Sequence, residues 1–105
     1  MRFYKYTVIY KPEKERGRAY YNVEVPAYPE ICTFGDSLEE ARFMAQDALE
    51  LSVRSDLDEN ILPRQNKKAK RVIKPNKSEE LVIAVSHQVS ATPYDYVKDA
   101  LFETA

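Results

Sequence analysis

The chain has one histidine, His87, and one cysteine, Cys32. A catalytic histidine needs a second group to orient or accept its proton, and a structural zinc ion needs about four ligands. His87 and Cys32 supply two candidate ligands between them. Ser86 and Ser90 flank His87, but adjacency in sequence does not make a triad. His87 is therefore read as a structural or surface residue, and Cys32, beside Thr33, as a small buried one. Metal-assisted hydrolysis needs clustered carboxylates. Residues 3–10 contain no acid, Glu24 stands alone in its segment, and Glu39, Glu40, Asp47 and Glu50 suit the solvated side of a helix. No catalytic, metal or cofactor residue is assigned, and a non-enzyme is expected.

Charge is the other chemical resource. Arg64, Lys67, Lys68, Lys70, Arg71, Lys74 and Lys77 place seven positive charges in residues 61–77, which contain no acid. Residues 1–60 hold 8 basic and 12 acidic side chains, and residues 78–105 hold 1 and 5. A basic linker over 64–77, punctuated by Pro63 and Pro75, thus joins two acidic segments. Such a stretch binds phosphates through counterion release. It contains no aromatic residue, so it cannot stack on bases by itself. A solvated connector is the plainer reading, with nucleic-acid binding through Arg64, Lys67, Lys68, Lys70, Arg71 and Lys74 as the alternative.

The elements that hold these residues follow from periodicity. Arg2–Tyr10 alternates, with Tyr4, Tyr6, Val8 and Tyr10 on one face and Phe3, Lys5, Thr7 and Ile9 on the other. Lys11–Arg18 contains Pro12 and Gly17 and reads as a hairpin loop. Ala19–Val25 alternates again, with Tyr21, Val23 and Val25 toward the core. Pro26 and Pro29 interrupt pairing, and Ile31–Phe34 reads as a short third strand. Gly35-Asp36-Ser37 turns into a helix, with Ser37 and Glu40 in the capping-box pattern. Leu38, Ala41, Ala45, Ala48, Leu49 and Ser52 share its inner stripe, widened by Met44 and Leu51, and the helix is expected to end near Leu57. Leu81–Val89 reads as a strand buried on both faces. Thr92-Pro93 opens a C-terminal helix over 93–105 carrying Tyr94, Val97 and Leu101.

The expected fold is one α+β domain over residues 1–105, a two-layer β-β-β-α-β(-α) arrangement. Its mixed four-stranded sheet has the order 3-2-1-4, strand 4 parallel to strand 1, with the main helix on one face. A chain of 105 residues builds a small core, for which association is a common remedy. Phe3, Ile9 and Tyr20 fall on the uncovered sheet face. With Tyr94, Val97 and Leu101 they are the candidate interface of a homodimer or higher assembly. The longest apolar run, Leu81–Val85, is too short to span a bilayer. The N-terminal ten residues lack a hydrophobic block, and one cysteine permits no internal disulfide. The expectation is a cytoplasmic protein without a membrane partner.

Residues 25–41, VPAYPEICTFGDSLEEA, resemble the HicB-like antitoxin family. The matching residues are Val25-Pro26, Pro29, Thr33 and Gly35-Asp36-Ser37-Leu38-Glu39-Glu40-Ala41. Tyr6, Val8 and Ala48-Leu49-Glu50-Leu51 extend the likeness over about residues 4–57. Glu30-Ile31 stands where the family has Gly-Cys. The resemblance implies a partly degraded ribonuclease-H-like fold without catalysis. It also implies a partner, a small HicA-like toxin that cleaves RNA and is masked by the antitoxin, and a tendency to self-associate. An orphan relative that has kept the scaffold and lost the pairing is the variant of this reading. Many family members carry a DNA-binding segment after this domain; the single helix expected over 93–105 is too short for one.

Overall fold

A computed structural model of the protein describes residues 1–86. Five elements run in the order β1 (Arg2–Glu15), β2 (Arg18–Glu24), β3 (Thr33–Gly35), α1 (Leu38–Asp58) and β4 (Lys77–Val85). The strands form one sheet of order β3-β2-β1-β4 with α1 on one face, as the periodicity predicts. The C-terminal helix expected over 93–105 lies outside the described residues.

The first hairpin is longer than the sequence suggests. β1 does not stop at Tyr10 but continues through Pro12 to Glu15, and Arg16-Gly17 closes a two-residue turn between Glu15 and Arg18. Arg16 (φ 53°) and Gly17 (φ 80°) are both left-handed, the backbone of a type I′ turn, whose twist matches that of the flanking strands. Pro12 is tolerated for a positional reason. The pair that closes such a turn is hydrogen-bonded and pairs alternate outward, so Pro12, opposite Tyr21, needs no N–H toward β2. β4 pairs only as far as Tyr10, so nothing on the other side needs one either.

The sheet is wholly antiparallel rather than mixed: β4 runs against β1, with Tyr6 opposite Leu81 and Tyr10 opposite Lys77. The connector from Glu59 to Asn76 sets this direction. Arg64 and Asn66 bond to β1 at Tyr6 and Thr7, and the chain then runs on to the level of Tyr10 before β4 begins. A connection of this length carries the chain back along the sheet, so the right-handed parallel crossover is not used. β4 also starts four residues earlier than expected. It is an edge strand, not a doubly buried one: Leu81, Ile83 and Val85 are buried whereas Val82 and Ala84 are exposed.

The core joins Tyr6, Val8 and Tyr10 of β1, Val23 and Val25, and Leu81, Ile83 and Val85 of β4 to Ala41, Ala45, Leu49 and Val53 of α1. The helix contributes a strict i, i+4 row. Two alanines in that row let its axis lie close to the sheet. Leu51, placed on the inner stripe by the sequence pattern, is instead 58 % exposed, and Val53 takes the inward position. The helix begins with Ser37 Oγ accepting from Glu40 N–H (3.0 Å), while Glu40 Oε1 accepts from Asp36 N–H (2.6 Å). It ends in a Schellman arrangement. Asn60, at φ 59°, donates its N–H to Leu57 O, and Ile61 donates to Asp56 O. No helix among the described residues is long and apolar enough to cross a membrane.

Candidate functional site

Arg64 is a clasp, not a free cation. Its guanidinium forms a bidentate pair with Glu30, both contacts 2.8 Å, and donates to Ala27 O at 3.1 Å while lying 4.6 Å from the centroid of the Tyr28 ring. Its backbone works too: Arg64 N–H donates to Tyr28 Oη and Arg64 O accepts from Tyr6 Oη at 2.6 Å. Tyr28 Oη in turn donates to Asp56 on α1 (2.9 Å). Tyr6 and Tyr28 meet edge to face, 5.4 Å between centroids. Every polar tip of this buried pair has a partner, which is what burial demands. Burial pushes the Tyr28 hydroxyl up, and the hydrogen bonds from Arg64 hold the Glu30 carboxyl below its usual range.

Asn66 continues the anchor. β2 leaves the sheet at Glu24, so Thr7 N–H has no strand to bond. Asn66 Oδ1 accepts it at 2.7 Å, and Asn66 Nδ2 donates to Thr7 Oγ1 at 3.1 Å. From here the connector crosses the sheet face opposite α1. Residues 67–73 and Asn76 form, with Ile9, Lys11, Glu24 and Pro26, a hollow of about 450 Å³. Ile9 is consequently buried.

The expected apolar patch of Phe3, Ile9 and Tyr20 is therefore not one surface. Phe3 is exposed near β4, Ile9 lies in the connector's hollow, and Tyr20 is half-buried against Phe34 at the far end. Tyr94, Val97 and Leu101 lie outside the described residues.

Of the six candidate nucleic-acid contacts, Arg64 is engaged as above. Lys67, Lys68, Lys70, Arg71 and Lys74 are exposed, and no ion pair holds any of them among the described residues. Lys11, which borders the same hollow, is paired with Glu24 at 2.7 Å, and that pairing raises its pKa.

Beside this strip, a second hollow of about 550 Å³ lies on the same sheet face, lined by Glu15, Arg16, Arg18, Tyr20, Asn22 and Phe34. Tyr20 and Phe34 pack edge to face at 5.9 Å. The Arg18 guanidinium lies 5.8 Å from the Phe34 centroid and is fixed by Asp36, which also raises its pKa. Sequence reading did not single out this hollow, because its parts come from the turn, β2 and β3.

The outward side of α1 is acidic. Glu39, Glu40, Asp47, Glu50 and Asp58 outnumber Arg42 and Arg54 on the helix, the sixth carboxylate, Asp56, being turned to Tyr28. Phe43 and Leu51 are exposed among them, at 68 % and 58 %. Arg42 is drawn aside to Glu79 (2.6 Å), which also accepts from the buried Tyr10 hydroxyl. Burial pushes the Glu79 carboxyl up, but the bonds from Arg42 and Tyr10 outweigh it and hold its pKa low.

Cys32 is exposed rather than buried, sitting in the bend after the Pro29-Glu30 turn where neither sheet nor helix covers it. His87 lies outside the described residues. Among the described residues no three His, Cys, Asp or Glu side chains converge as a metal-holding group. Comparison of the chain with protein-family models, with curated proteins and with solved structures found no match.

Proposed function

We propose that the chain is a non-catalytic binding module of the HicB-like antitoxin type, acting in the cytoplasm by masking a small, basic, HicA-like RNA-cleaving toxin, and that it self-associates. The observation that carries this reading is the outward side of α1. Two large apolar side chains, Phe43 and Leu51, stand exposed in a strip of carboxylates. Apolar anchors set where one sign of charge is in excess suit a partner of opposite charge, with the charges steering encounter and the anchors holding the complex. The order β-β-β-α-β and the Gly35–Ala41 helix entry agree with the resemblance. Ribonuclease-H-type chemistry would need an acid in the middle of the first strand; residues 3–10 hold none.

The test is co-expression of the tagged chain with the product of the short open reading frame beside its gene. Retention of that product and suppression of its RNA cleavage are expected, with Phe43→Glu combined with Leu51→Glu weakening retention by at least tenfold. A neighbouring product that is not retained, or the absence of such a frame, overturns the toxin-masking reading in favour of an orphan module.

A further inference from the structure

The sheet face turned away from α1 brings together a row of free cations and an exposed aromatic ring, which the sequence keeps far apart. Lys11, Asn22 and Phe34 form one cross-strand row. Adjacent strands lie about 5 Å apart, so the backbones of Lys11 and Phe34 are roughly 10 Å apart and the two hollows described above are neighbours on one face. At one end, Phe34 is 48 % exposed, braced by Tyr20 and Arg18, with the Asn22 amide beside it. At the other, the connector presents its unpaired cations.

Charge bookkeeping on this face decides the sign. Glu24, Asp36 and Glu80 are neutralised by Lys11, Arg18 and Lys5. Among the described residues that leaves Glu13 and Glu15 against Arg16, Lys67, Lys68, Lys70, Arg71 and Lys74, a net of +4. The face is cationic although the chain as a whole carries −1.

We infer that this face binds single-stranded nucleic acid, the cations tracking phosphates and Phe34 stacking on a base. An exposed ring on a sheet can meet a base only when that base is unstacked, which selects single strands over duplexes. Asn22 offers both a donor and an acceptor to a base edge. The surface is distinct from the outward side of α1, so it neither requires nor excludes toxin masking.

The experiment is fluorescence anisotropy of the full chain with a labelled single-stranded oligonucleotide of about ten nucleotides, as RNA and as DNA, and with the matching duplex. Expected is binding of the single strands with a log–log salt slope of about −3.5, from roughly five phosphates neutralised. Phe34→Leu, which keeps apolar bulk and removes the ring, lowers affinity roughly 5- to 100-fold with the slope unchanged. Phe34→Tyr retains affinity and controls for folding. Lys70→Ala with Arg71→Ala flattens the slope by about 1.4. Equal affinity for RNA and DNA, or a preference for RNA, both support the site, the latter assigning its natural ligand. No binding at low salt, equal binding of the duplex, equal competition by anionic lipid vesicles, or indifference to Phe34→Leu would each overturn it.

Discussion

Gly35 and Gly17 are both required, for different reasons. A Cβ on Gly35 would lie 2.3 Å from the Ala41 amide nitrogen and 2.7 Å from its Cα. The obstacle is backbone, so β3 and the first turn of α1 would have to separate. Gly35→Ala should cost about 3 kcal/mol, at the upper end for overpacking, read as a lowered denaturation midpoint. Around Gly17 there is open space, and only its φ of 80° resists a side chain. Gly17→Ala should cost about 1 kcal/mol; if it proved the more damaging substitution, this account of the Gly35 contact would be wrong. The buried tyrosines make a second set of predictions. Burial, reinforced by Tyr28 for Tyr6 and by Glu79 for Tyr10, pushes both hydroxyls well above the usual tyrosine value. The neutral form is favoured in the folded protein, so this contribution is complete below the unfolded value of about 10 and is lost as pH rises through the folded values. A tyrosinate absorbance titration should show Tyr6 and Tyr10 ionising late, in step with unfolding. Simultaneous titration of all eight tyrosines in the folded protein would contradict it.

The elements separate what local pattern can specify from what it cannot. Helix α1 was readable from Gly35 to Leu57 because its cap, its stripe and its alanine spacing are all local. Ser37→Ala should cost about 1 kcal/mol, measurable by thermal melting, because Glu40 N–H would lose its acceptor. The full length of the hairpin is not local information: Pro12 looks like a breaker until the pairing phase set by Arg16-Gly17 shows that its missing N–H faces no partner. The direction of β4 was hidden because it depends on where an irregular connector travels. That path is fixed by contacts 58 or 59 residues apart in sequence, Tyr6 with Arg64 and Thr7 with Asn66. Such pairings leave no periodic trace. The connector's anchor is correspondingly testable. Tyr28→Phe strips the acceptor from Arg64 N–H and the donor from Asp56, and should cost about 1–3 kcal/mol. Hydrogen exchange should rise selectively at residues 64–66. Uniform acceleration across the sheet would mean that the clasp does not hold the connector separately.

At the level of the entire molecule, the two faces of the sheet have been given opposite characters. Among the described residues, helix α1 contributes carboxylates to one side, and the connector lays cations over the other. This arrangement was invisible in net charge, although the segmental imbalance hinted at it. The connector also changes what self-association can use. By burying Ile9 it removes the centre of the apolar face expected from alternation, and leaves a smaller corner where Phe3 of β1 lies opposite Ala84 of β4, with Val82 exposed on the same face. Beside that corner β4 is the last strand of the sheet, with β1 its only strand neighbour among the described residues. Open strand edges flanked by apolar side chains favour pairing with another chain. The proposed homodimer should therefore be seen by light scattering at tens of micromolar, about the range in which a weak interface is populated. Phe3→Glu, at 67 % exposure, removes little from the monomer's fold and should shift the population to monomer. Wild-type protein that stays monomeric at that concentration would sink self-association through this corner. A Phe3→Glu dimer indistinguishable from wild type would relocate it.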